Sequence, residues 1–173
     1  MTSKVLLTGR PGCGKTTLIK RFVKKLARPA GGFYTEELRE GGARVGFRLA
    51  TLDGNEAPLA HVDFKTPERL GKYGLDLSAL ESVGVKAIRE AVRSQRLVVI
   101  DEIGPMEIRS AVFRDAVTEA FDSPEVSGVL ATIVARSLPF SDAIKSRLDV
   151  TLIEVHRNNR ERLVSELSDQ FEN

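Results

Sequence analysis

Apolar residues along this chain fall into short continuous runs separated by stretches with helical periodicity, and the two textures alternate. Lys4–Thr8, KVLLT, has strand length and breaks at once into GRPGCGK, which predicts a buried strand entering a loop. Thr16–Leu26 places Leu18, Ile19, Phe22, Val23 and Leu26 on one helical face, with basic residues opposite. Between about 33 and 52, runs rich in aromatic, β-branched and alternating residues flank Glu40-Gly41-Gly42, predicting a β-hairpin. The turn Asp53-Gly54-Asn55 predicts a third antiparallel strand near 57–62. Asp76–Ser94 reads as mostly helical, with Gly84 marking a break or a second start. Leu97–Ile100, Gly128–Val134 and Val150–Val155 read as three more buried strands. Ala111–Phe121 and Asn158–Phe171 read as helices, and residues 135–147 as a polar connection.

Strands alternating with helices predict an α/β fold whose mainly parallel central sheet is covered on both faces. The expectation is a single domain over residues 1–173, with an antiparallel β-hairpin extension at about 33–62. Composition narrows the class. The 173 residues are 42% hydrophobic and 29% charged, as in ordinary soluble globular proteins. A net charge of +2 is too small to indicate nucleic acid. Cys13 is the sole cysteine, so no disulfide can form within the chain. No signal peptide is evident, and no apolar run reaches the roughly 18 residues a membrane span requires. A cytoplasmic monomer is the expectation, with no membrane, nucleic-acid or protein partner indicated.

Gly9-Arg10-Pro11-Gly12-Cys13-Gly14-Lys15-Thr16 matches G-x-x-x-x-G-K-[ST] at every fixed position, between a predicted strand and a predicted helix. Glycines at these places let successive backbone N–H groups curl around phosphates, and the helix that follows presents its positive end. Lys15 can reach the β- and γ-phosphates, the Thr16 hydroxyl can ligate Mg²⁺, and Thr17 can bond an α-phosphate oxygen. Cys13 reads as a small spacer in this loop. The motif implies a P-loop NTPase three-layer fold acting on nucleoside triphosphates.

RLVVIDEIGPME ends an apolar strand in two adjacent acids. In a P-loop protein, Asp101 at the end of a strand beside the loop can hold Mg²⁺, often through water. Binding a metal does not need Glu102, whose charge beside a triphosphate is unfavourable unless it acts as the base that activates water. Asp-Glu here is similar to the ATPase branch of P-loop proteins, in which another strand lies between the P-loop strand and the acidic strand. Gly128–Val134 is the candidate for that strand. Its Thr132 reads either as a sensor of the γ-phosphate or as a buried hydroxyl bonded to backbone. The Gly104 N–H can face the γ-phosphate, and Pro105 fixes the exit to the next helix. Glu107 reads as support for the site or as a helix-start acid.

No Asn-Lys-x-Asp follows a late strand, so the usual guanine-reading motif is missing. After the last strand, Arg160 can stack on a base and Asn159 can bond it, or the pair belongs to a capped helix start. Arg136 and Arg147 are candidates for closing over phosphates. Thr35-Glu36-Glu37 can approach the nucleotide as an acceptor pocket would.

GRPGCGKTT, GGFYTEELREGGARVGFRLATLDG, VVIDEIGPMEI and HRNNRERL, in this order and spacing, resemble the cancer-related nucleoside-triphosphatase family over nearly the whole chain. The resemblance implies a P-loop fold with an antiparallel extension. It also implies slow, Mg²⁺-dependent hydrolysis of several nucleoside triphosphates, ATP and GTP included, with little base preference. Lys15, Thr16, Asp101 and Glu102 stand where the family's motifs put the phosphate, metal and catalytic groups. Two other functions use the same loop: a nucleotide or nucleoside kinase, and a nucleotide-dependent binding switch.

Overall fold

In the computed structural model, which describes residues 2–172, one nine-stranded sheet runs through the molecule in the order β5-β6-β4-β3-β2-β7-β8-β1-β9. Its parallel part comprises β1 (Lys4–Thr8), β7 (Leu97–Ile103), β8 (Gly128–Ile133), β9 (Thr151–Glu154) and the start of β2 (Ala30–Glu40). The remainder of β2, with β3 (Ala43–Thr51), β4 (Glu56–His61), β5 (Arg69–Leu70) and β6 (Tyr73–Leu75), is antiparallel. The predicted three-strand hairpin is therefore present, but it is no separate appendage. Ala30–Phe33 pair with Leu97–Ile100, so the strand that starts the hairpin is also a core strand. The apolar-run criterion missed that fifth parallel strand, because Ala30-Gly31-Gly32 offers no large side chain.

The alternating faces of the parallel strands are both buried, which is why they read as continuous apolar runs. Val98 and Ile100 face one core with Phe33, Phe113 and Val117. Leu97 and Val99 face the other with Val5, Leu7, Leu18, Phe22 and Leu167. Helix α1 (Lys15–Lys25) buries Leu18, Ile19 and Phe22 on the second face, with Lys24 and Lys25 in its last turn complementing the helix dipole. There α6 (Arg160–Glu172) packs on α1, with the Phe22 and Phe171 rings 5.6 Å apart.

The first face is covered by the helical stretch from α2 (Leu77–Ala79) through a π-helical segment, Leu80–Val85, to α3 (Lys86–Arg93). Asp76 caps its start, accepting the Ala79 N–H at 3.0 Å. The irregularity expected at Gly84 is thus a change of helical pitch. Helix α4 (Ala111–Asp122), capped by Ser110, buries Phe113, Ala116, Val117, Ala120 and Phe121 beside it.

Two further expectations differ. Residues 135–147 contain a short helix, α5 (Pro139–Lys145), where a polar connection was predicted. Strand β9 was predicted to be buried, yet it is an edge strand with Leu152 46% exposed. As expected for Gly128–Val134, β8 lies between β1 and β7. Among the described residues, no helix is long and apolar enough to cross a membrane.

Candidate active site

The parallel strands all end on one edge of the sheet, which brings three loops together there. From β1 the chain enters residues 9–16, where Gly9, Gly12 and Gly14 adopt φ of 152°, 78° and 99°. Gly14 is decisive. It sits left-handed immediately before α1, and a Cβ there would collide with the Arg160 guanidinium. Arg160 lies across the phosphate loop at Gly14, and its Nε is buried without a hydrogen-bond partner. Lys15 Nζ donates to the Gly9 carbonyl at 2.8 Å, closing the loop on itself.

From β7 come the two acids. Ile100 pairs with Ala131 and Ile103 with Ile133, so the β7–β8 ladder takes up one extra residue at Asp101-Glu102. A bulge of this kind re-aims side chains at a strand end. The peptide bond joining the two acids is cis. Asp101 is 1% exposed, and its Oδ1 accepts from the Thr132 hydroxyl at 2.5 Å. Thr132 is thus tied to Asp101, in neither of the roles expected for it. The Thr16 hydroxyl and the Thr35 backbone N–H face the same carboxylate, yet Oδ2 is buried and makes no hydrogen bond. Burial raises the Asp101 pKa above that of an ordinary aspartate, against the pull of Thr132, Thr16 and the Lys15 charge.

Glu102 is also pushed up, first by burial and then by the charge of Asp101, with Lys15 opposing. Glu107, expected either to support the site or to begin a helix, is 5% exposed and lies inside it. Burial first, then the neighbouring Glu102 and Asp101, hold its carboxyl well above the normal range, although the Glu107 and Gly104 amides face it. Gly104 lies between these acids: a Cβ there would stand 2.6 Å from Glu102 Oε1 and 2.9 Å from Glu107 Oε2. Its amide faces the Glu107 carboxyl.

The three buried side-chain atoms without hydrogen-bond partners among the described residues are Thr8 Oγ1, Asp101 Oδ2 and Arg160 Nε. Thr8 leads into the phosphate loop, Arg160 covers it and Asp101 faces it. Unsatisfied buried polar atoms are costly, and their concentration here marks a place built for a polar ligand. Hard oxygens from Thr16 and Asp101 suit Mg²⁺, which keeps waters and takes one or two carboxylates together with substrate phosphates.

A cleft of about 750 Å³ joins Pro11, Gly12 and Gly14–Thr17 to Asp101, Glu102 and Glu107. It continues over the antiparallel strands past Lys20, Thr35, Glu36 and Glu37. Arg10 is exposed; it, Gly9, Cys13 and Arg160 do not line this cleft. Sequence reasoning missed its far wall, Arg44, Phe47, Leu59 and Leu70, since only strand pairing brings those residues to the site. Other candidates have structural partners. Asn159 Oδ1 accepts the His156 N–H at 2.8 Å, and its Nδ2 donates to the Glu154 carbonyl, fixing the turn before α6. Arg147 is held by Asp122 and Asp149 and covers the Phe121 ring. Arg136 is exposed on the loop leaving β8.

The profile of a family described as NTPase matches residues 4–168. A nucleoside-triphosphatase THEP1 of Thermotoga sp. (strain RQ2) is 49% identical over 95% of this chain and 92% of its own length. A human cancer-related nucleoside-triphosphatase is 38% identical over 96% and 95% of the two chains. Among solved structures, THEP1 from Aquifex aeolicus superposes with a TM-score of 0.90 at 34% identity, covering 98% of this chain and 99% of that one.

Proposed function

The chain belongs to the NTPase family, and from that membership we propose that it hydrolyses nucleoside triphosphates to diphosphate and phosphate, with Mg²⁺ and with little preference among bases. The observation that carries the site assignment is Asp101: a buried carboxylate held by Thr132 on one oxygen and left free on the other, beside Thr16 and the phosphate loop. The Thr16 hydroxyl and Asp101 Oδ2 are the groups that would hold Mg²⁺. When bound, the cation supplies positive charge against the β- and γ-phosphates.

The protein's own groups do the rest. Backbone N–H groups of the phosphate loop and the N-terminus of α1 bind the polyphosphate, and Lys15 exchanges the Gly9 carbonyl for phosphate oxygens. Glu102 takes the proton of a water whose oxygen attacks the γ-phosphorus. The bond to the β,γ-bridging oxygen breaks, and the diphosphate leaves with that electron pair. A carboxylate raised by burial is a stronger base than one in water, which suits this task. Broad base tolerance is supported by the turn after β9: Asn159 is already committed to backbone, so it is not free to read a base edge.

Phosphate release from ATP, GTP, CTP and UTP, with Mg²⁺ and after chelation, tests the reading. The expected result is comparable release from all four with the cation and none without it. Release from a single nucleotide would overturn base tolerance, and release that survives chelation would overturn the metal requirement.

A further inference from the structure

The cleft extends beyond the phosphate loop and the acids. Asp101 and Glu102, at the end of β7, mark the γ-phosphate end of the site, so the nucleoside extends away from β7, toward Arg160 and the turn after β9. The other half of the cleft opens on the opposite side, over β3, β4 and β5. In the sheet order this half lies on the far side of β7 from β1 and β9, the side on which the attacking atom of an in-line displacement would stand if the nucleoside points toward β9.

Its lining suits a small organic molecule better than bulk water. The floor is apolar, from Phe47, Leu59, Leu70 and Met106. Phe47 packs edge-on against Tyr73 at 5.4 Å, which fixes its ring. Arg44 lies over that ring at 5.1 Å, donating from Nε to the Tyr73 hydroxyl and from Nη1 to Glu37. Lys20 is likewise paired with Glu36. Both rim cations are already neutralised by carboxylates, so an occupant need bring no charge, while the carboxylates retain lone pairs for hydroxyl donors. This outer half shares the cleft of about 750 Å³ with the phosphate loop and the acids, and its apolar floor with a few convergent polar groups is the usual lining of a small-molecule site.

We propose that this outer cleft binds a neutral, hydroxylated aromatic compound of nucleoside size, and that the protein transfers the γ-phosphoryl group to its hydroxyl. The inference rests on the γ-phosphate placement proposed above. Glu102 accepts the hydroxyl proton, the hydroxyl oxygen forms the new bond to phosphorus, and the β,γ-bridging oxygen leaves with the nucleoside diphosphate. With the outer cleft empty, water takes the same position, and slow hydrolysis is the residual reaction.

The test is incubation of the whole protein with γ-labelled ATP, Mg²⁺ and adenosine, guanosine, cytidine or uridine, separating labelled phosphate from labelled nucleoside monophosphate. The expected result is label on at least one nucleoside. Phe47→Ala is expected to shift the ratio of labelled nucleoside phosphate to labelled phosphate about tenfold or more toward phosphate. Arg44→Ala, on the exposed rim, is expected to move it the same way and serves if the Phe47 variant does not fold. Labelled phosphate as the sole product with all four nucleosides overturns the acceptor site while leaving the hydrolase reading intact. Label on nucleoside monophosphates supplied in a parallel incubation, with none on any nucleoside, overturns the neutral acceptor, and absence of all turnover sinks both readings.

Discussion

Asp101 and Glu102 are neighbours in sequence, but their surroundings assign them different work. Both line the cleft, but Asp101 is clamped by Thr132 and almost fully buried, whereas Glu102 is half-buried with Lys15 as its opposing charge. Glu102→Gln keeps the shape and removes the proposed base. It is expected to lower turnover by about 10²–10⁴-fold while retaining triphosphate binding, read by single-turnover phosphate release and equilibrium nucleotide binding. Because the Glu102 pKa is raised above 4.5 and a base must act deprotonated, the proposed role places the acidic limb of the parent's rate profile above that value. Thr132→Val removes the hydroxyl that orients Asp101 and should raise half-saturating Mg²⁺ by about tenfold. An unchanged Mg²⁺ requirement would separate Thr132 from the metal. The pair Asp101-Glu102 was legible in the sequence because its chemistry depends on order along the chain. The Thr132 partnership was not, because it depends on β8 lying in register with β7. Glu107 belongs to the same class. Its folded pKa is raised, so the folded state binds the proton more tightly than the unfolded chain. This carboxyl therefore lowers stability progressively as pH climbs from about 4.5 through its folded pKa. Glu107→Gln should melt higher than the parent at pH 8, each 1 kcal/mol appearing as roughly 2–4 °C, with the advantage fading toward pH 4.

Among the elements, β2 decides how the two halves of the sheet are joined. Gly32 holds φ of 113°, and a Cβ there would strike the Val99 carbonyl oxygen. At Gly31 a Cβ would stand 2.8 Å from that of Ala91, so this glycine lets α3 lie close to the sheet. The glycine pair stands just before the hairpin predicted at about 33–52. It also makes the parallel pairing with β7 possible, a role hidden because pairing without large side chains leaves no apolar run. Gly32→Ala combines a disfavoured φ with a backbone clash and is expected to destabilise by about 2 kcal/mol or more, measured by urea denaturation. Helix α5 escaped notice for a similar reason. At seven residues, with Ser141 and Ile144 as its buried positions, it has too little periodicity to read. Strand β9 was placed correctly but judged buried, since an apolar run does not reveal that its strand lies at the sheet's edge.

At the scale of the molecule, the proposed nucleotide site draws on both ends of the chain. The phosphate loop follows the first strand, and Arg160 reaches it from the start of the last helix. That helix in turn is anchored on α1 through Phe171 and Phe22. Opening the site therefore disturbs packing across a whole face of the sheet, and ligand binding should be felt as global stability. The thermodynamic gain depends on concentration: at a hundredfold excess over the dissociation constant it is about 2.7 kcal/mol. For a chain of this size that corresponds to roughly 5–11 °C in melting temperature. A non-hydrolysable triphosphate with Mg²⁺ should produce such a shift in the parent. In Asp101→Asn the part of the shift that depends on Mg²⁺ should disappear, because Oδ2 would no longer carry charge toward the cation, while the part due to the phosphate loop and Lys15 persists. The comparison needs four melting curves for each protein: alone, with Mg²⁺, with nucleotide, and with both. An Mg²⁺ contribution of equal size in the parent and the variant would move the metal site away from Asp101, and with it the reason for the free oxygen in an otherwise closed core.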